Sequence, residues 1–91
     1  MDDELKERTE KEIMQMEKVF ATIVMAVEGD NTAQSFFNMA ANYFNDSRFF
    51  FGKKDYIRAF EAVVISWSYV DAGIKAGFFS VAGDLREYFT N

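Results

Sequence analysis

In "YIRAFEAVVISWSYVDAGIK", residues 56–75, Phe60, Val63, Trp67, Val70 and Ile74 recur at alternating steps of three and four. That spacing lines one face of an α-helix, and no period-two alternation competes with it. No Pro interrupts the chain, and the five Gly, at positions 29, 52, 73, 77 and 83, fall mostly where periodic segments stop. The pattern reads as helices separated by punctuation.

The same reading gives a first helix over 3–28, with Ile13, Met16, Phe20, Ile23 and Val27 on one face. The acids Asp2, Asp3, Glu4, Glu7, Glu10 and Glu12 crowd its start, where the helix dipole favours them. "EGDNTAQ" ends this helix at Gly29 and offers Asn31 as an N-cap, with Gln34 at capping-box spacing. A second helix over 32–51 carries Phe36, Ala40, Tyr43, Ser47 and Phe50, with Phe37, Phe44 and Phe51 on a stripe beside them. So broad an apolar arc belongs to a helix packed against two neighbours. "GKKD" supplies Gly52 as a C′ residue and Asp55 as an N-cap, a connection short enough to force an antiparallel hairpin into the third helix, 56–76. The tail, 78–91, repeats a capping-box pattern at Asp84 and Glu87 and is too short to be helical without packing. The fold class expected is all-α: one three-helix up-and-down antiparallel bundle over 1–91 with a short C-terminal helical tail.

Composition narrows function by exclusion. The 91 residues include no Cys and no His, which removes disulfides, thiolate and imidazole metal sites, and the usual general base. No nucleophile–base pair, phosphate loop or ligand spacing appears, so no catalytic residue, metal or cofactor is implied. The acidic N-terminus is unlike a signal peptide, and no apolar run approaches the roughly 20 residues that span a bilayer. The expectation is a soluble cytoplasmic protein without a membrane partner. A net charge of −5 argues against general nucleic-acid binding.

From Ala41 the chain reads "ANYFNDSRFFFGKKDYIRAFEAVVISWSYVDAGIKAGFF". Tyr43, Asp46, Ser47, Gly52, Asp55, Tyr56, Ala59, Phe60, Trp67, Asp71, Ala72, Gly73 and Gly77 fit the pattern of the archaeal domain-of-unknown-function 357 family, which this half of the chain resembles. The resemblance implies a three-helix up-and-down bundle and no particular activity. A weaker similarity, Tyr43-x-x-Asp46-Ser47 followed by Asp55-Tyr56-x-x-Ala59, extends to the helical nucleotide-binding and toxin-like HEPN group. Its RNA-cleaving members use an Arg and a His close in sequence, and this chain has no His.

Four polar positions receive structural roles. In a hairpin centred near Lys53, Asp46 is level with Phe60 and close to Arg58, which gives a cross-helix ion pair. Asp71 lies some ten residues farther along, roughly 15 Å, too far from Asp46 for a carboxylate dyad. It stands level with Ser35, where it can cap the start of the second helix, and four residues before Lys75 in the favourable acid-first order. Asp55 caps the third helix.

Two surfaces are left as partner candidates. Arg48, Lys53, Lys54 and Arg58 gather at the turn between the second and third helices. They read either as an anion or RNA-backbone site or as a patch neutralised by the acidic start of the first helix, which lies at the same end. The eleven Phe exceed what three helices readily bury. Phe49, Phe51, Phe78, Phe79 and Phe89 are either absorbed when the tail folds back or exposed as a protein-binding surface, with self-association into a homo-oligomer its simplest form. The function expected is a non-catalytic, self-associating interaction or scaffold module, with an RNA- or nucleotide-binding module as the alternative.

Overall fold

A computed structural model describes residues 2–89, so Met1, Thr90, Asn91 and the side chain of Asp2 lie outside the described residues. It contains α1 (Asp2–Thr22), β1 (Val24–Met25), α2 (Asn31–Gly52), α3 (Tyr56–Lys75), β2 (Phe79–Ser80) and a C-terminal 3₁₀ helix (Gly83–Phe89). The architecture is all-α apart from the short strand pair.

The first helix is shorter than its periodicity predicts. Ile13, Met16 and Val19 are buried in line with Thr9, whose hydroxyl donates to the Leu5 carbonyl at 2.7 Å. The helix stops at Thr22, as the chain enters the β-branched run Thr22–Ile23–Val24, which favours extended backbone. Val24 and Met25 then pair antiparallel with Ser80 and Phe79, and the Ala26 N–H donates to the Phe78 carbonyl at 2.8 Å. Ile23 and Val27 therefore lie outside the helix on which the sequence places them.

Cap positions also shift. The N-cap of α2 is Asp30, not Asn31: Asp30 is extended and its carboxylate accepts from the Ala33 N–H at 3.0 Å, while Asn31 is already helical. At the α2–α3 turn the left-handed residue is Lys54, with φ 63°, and Gly52 sits within the last turn of α2. Asp55 accepts from the Arg58 N–H at 3.2 Å at the start of α3.

The α2–α3 hairpin is the tightest seam of the bundle. Ala40 on α2 and Ala59 and Ala62 on α3 are buried small residues. Between them the Ser66 hydroxyl donates to the Ala40 carbonyl at 2.7 Å, tying the helices at one level. The core continues through Met16, Val19, Phe44, Val63 and Val70 and takes Leu85 and Phe89 from the tail.

The tail is fixed at three points. Gly77, at φ 81°, turns the chain out of α3, and the strand pair follows. Phe79 lies over buried Gly73, where a Cβ would come within 2.2 Å of the ring. Finally, the Trp67 indole N–H donates to the Tyr88 carbonyl at 2.9 Å and the indole stacks on Phe89.

Candidate functional site

The structure divides the five Phe of the expected partner surface. Phe79 is 3% exposed and Phe89 7%, so both are core residues of a docked tail and are corrected from partner candidates to scaffold. Their burial follows from the Gly73 recess and the Trp67 ring. Phe78 is half-buried, edge-on to Phe36, and Phe51 is half-buried against Tyr56. Phe49 alone of the five stands out from the bundle, at 60% exposed.

Besides Phe49, the exposed large apolar side chains among the described residues are Met14 on α1, Val24 on β1 and a group of three on α3. Ile57 is 64% exposed, Val64 40% and Ile65 37%, on the side opposite the buried row of Ala59, Ala62, Val63, Ser66 and Val70. Sequence reasoning followed Phe and passed over these three, although their spacing of seven and eight residues places them on one helical face.

Asp55 caps α3 and Asp71 pairs with Lys75 as expected, whereas among the described residues the expected cross-helix partners of Asp46 and Asp71 are not engaged. Asp46 is exposed, and Arg58 pairs with Asp55 at 3.6 Å on its own helix, so the expected Asp46–Arg58 bridge is replaced by a local one. Asp71 holds the Lys75 ammonium at 2.7 Å and does not cap α2, a role taken by Asp30. Level arithmetic fixes height along the bundle and leaves direction around the helix open; Asp71 points away from the row that faces α2.

At the basic end three of the four cations lie against rings. The Arg48 guanidinium is 4.9 Å from the Phe44 centroid and donates to Asn45, the Lys53 ammonium is 5.5 Å from Phe49, and Arg58 is 5.8 Å from Phe50. Leu5, at the start of α1, shares a shallow depression with Lys53, Lys54, Asp55 and Ile57, so the first helix does begin at this end. Among the described residues, however, the one acid within ion-pair distance of the four cations is Asp55.

A third feature was not visible in sequence. Arg8 and Glu12 on α1 pair at 3.1 Å, and the Tyr88 hydroxyl from the tail donates to the same carboxylate. Together with Phe60, Val64 and Trp67 they line a cleft of about 270 Å³. Burial foremost, and then the bond to Glu12 and its charge, push the Tyr88 phenol above the ordinary tyrosine range, opposed by Arg8. Among the described residues no three His, Cys, Asp or Glu converge as metal ligands, and no helix is long and apolar enough to cross a membrane.

These features define a small up-down-up helical bundle whose C-terminal segment is stitched back onto the first helix. The chain belongs to the DUF357 family, a protein family of unknown function, whose pattern matches residues 6–79. It is similar to the crystal structure of protein AF1782 from Archaeoglobus fulgidus, assigned to the same family. The two are 32% identical with a TM-score of 0.74, over 89% of this chain and 97% of that chain. None of the curated proteins matches.

Proposed function

We propose that the protein is a non-catalytic cytoplasmic interaction module that pairs with a second copy of itself through the outer face of α3. The observation that carries this reading is the exposure of Ile57, Val64 and Ile65 on one helical face. β-Branched residues lower helix propensity by up to about 0.7 kcal/mol each, and exposed they return little to a monomer. A twofold contact is self-complementary, since a residue that meets another across the axis is met by it in return on the other side. Antiparallel pairing about the Val64–Ile65 level sets Ile57 against Ala72 and brings Arg58 of one copy beside Asp71 of the other.

Sedimentation velocity across a hundredfold concentration range tests this. The expected result is a concentration-dependent dimer that Ile65→Glu abolishes while leaving the monomer's thermal stability within about 0.5 kcal/mol, since the side chain is exposed. A monomer throughout would overturn it.

The second reading, an RNA- or nucleotide-binding module, is favoured by the exposed Phe49 ring beside the Lys53 ammonium, a stacking surface next to a cation. Salt separates the two readings. Nucleic-acid binding falls steeply between 50 and 200 mM salt. Apolar pairing of copies that each carry a charge of −5 holds or strengthens as salt screens their repulsion.

A further inference from the structure

The cleft between α1, α3 and the tail is separate from the α3 pairing face, which it meets only at Val64. Its floor is Phe60, Val64 and Trp67, and its polar wall is Arg8, Glu12 and Tyr88. The wall is unequally committed. Glu12 accepts from the Tyr88 hydroxyl on one oxygen and from Arg8 Nε on the other, at 3.1 Å. Arg8 spends Nε alone, so among the described residues its two terminal nitrogens have no protein partner. The unspent capacity is therefore a planar, cationic fork of donors at the mouth of an apolar recess, 65% exposed and held in place by Glu12.

We propose that this cleft binds a small organic monoanion: a carboxylate on the Arg8 fork, with a flat or branched apolar body against Trp67, Phe60 and Val64. The end-on guanidinium matches a carboxylate in two parallel hydrogen bonds, and an ammonium offers no such match. The tempting alternative, an organic cation caged by Trp67, Phe60 and Tyr88 against Glu12, is disfavoured because both Glu12 oxygens are already engaged, by Tyr88 and Arg8, whereas Arg8 keeps two terminal nitrogens for a ligand. At about 270 Å³ the recess lies just below the range that takes drug-sized ligands, so the body is a single ring or a short branched chain.

Trp67 is the one Trp in the chain, so its emission reports this cleft directly. Phenylacetate, phenethyl alcohol and phenethylamine share one apolar body and differ in charge. Titrated into the full-length protein, phenylacetate is expected to shift Trp67 emission saturably with a Kd of about 0.1–1 mM, the alcohol to bind roughly tenfold more weakly, and the amine not to saturate. Arg8→Gln, with folding confirmed by circular dichroism, is expected to weaken phenylacetate about tenfold without changing the alcohol, and Arg8→Lys to recover only part of the loss. Equal binding of amine and carboxylate, an unchanged Kd in Arg8→Gln, or no saturable shift up to about 10 mM phenylacetate would each overturn the proposal. Repeating the titration in Ile65→Glu separates this site from self-association. Carboxylate binding that survives when pairing is lost stands independently of the α3 interface.

Discussion

Gly73 is the residue on which the tail depends. Its missing side chain is the space that the Phe79 ring occupies, since an added Cβ would lie 2.2 and 2.4 Å from two ring carbons. Phe79 is buried and its backbone is held in the strand pair, so the ring has little room to retreat. Gly73→Ala is therefore expected to destabilise the protein by about 1–3 kcal/mol even though alanine is the better helix former, as thermal or urea unfolding will show. Unchanged stability would mean that the ring relocates freely. In the sequence Gly73 reads only as one glycine near the end of the third helix, because its partner Phe79 lies beyond that helix in a segment with no helical period. Tyr88 makes a second prediction at this scale. Burial and its bond to Glu12 raise its pKa above the ordinary value near 10. A phenol harder to ionise when folded contributes stability that is fully present below the unfolded pKa and is lost as pH rises above it. Tyr88→Phe should lower stability at neutral pH, by about 0.5–1.5 kcal/mol for one hydrogen bond, and flatten the fall in stability above about pH 10. Urea titrations at pH 7 and 10.5 measure both; equal alkaline slopes in the two proteins would refute the Tyr88 contribution.

Among the elements, α2 and α3 were the most legible, because each carries a long apolar row and the connection between them leaves only an antiparallel hairpin. The level arithmetic drawn from that turn is realised in the Ser66–Ala40 bond. The end of α1 was not legible: Ile23 and Val27 continue the helical period, so their β-branching had to be weighed against their spacing. What decides it is tertiary, since Val24 and Met25 find partners more than fifty positions away at Phe79 and Ser80. This strand pair is short and would be marginal alone, so its role is to hold the tail in register while Leu85 and Phe89 supply the burial. Ala26→Pro deletes the donor of the 2.8 Å bond to Phe78 at an exposed position beside the pair. The expected cost is about 1–2 kcal/mol, read as faster hydrogen exchange over 79–89 with the α2–α3 hairpin protected as before. Uniform acceleration across all helices would show instead that the tail and bundle open as one unit.

At the scale of the whole molecule, the surfaces open to partners were the least legible part, for a physical reason. A docked tail redistributes exposure: it removes Phe79 and Phe89 from the surface, so that the cluster of exposed apolar side chains on α3 is Ile57, Val64 and Ile65, none of them aromatic. The cleft is likewise invisible to spacing, because Glu12 and Tyr88 stand 76 positions apart. If two copies pair antiparallel through α3, symmetry makes one further demand. Arg58 and Asp71 meet twice, once on each side of the axis, so a single charge reversal places two like pairs across the interface. Arg58→Asp alone and Asp71→Arg alone should each weaken pairing by about three- to tenfold, the scale of two rim contacts of several tenths of a kcal/mol each. Carrying both reversals in one chain restores opposite charges at both places and should return most of the lost affinity, which equilibrium sedimentation can resolve. Each reversal also breaks a pair within its own helix, Arg58 with Asp55 and Asp71 with Lys75, but those losses fall on the monomer and do not cancel in the double variant. Recovery of dimer affinity without recovery of thermal stability would therefore identify the twofold register, and a double variant as weakly associated as either single would reject it.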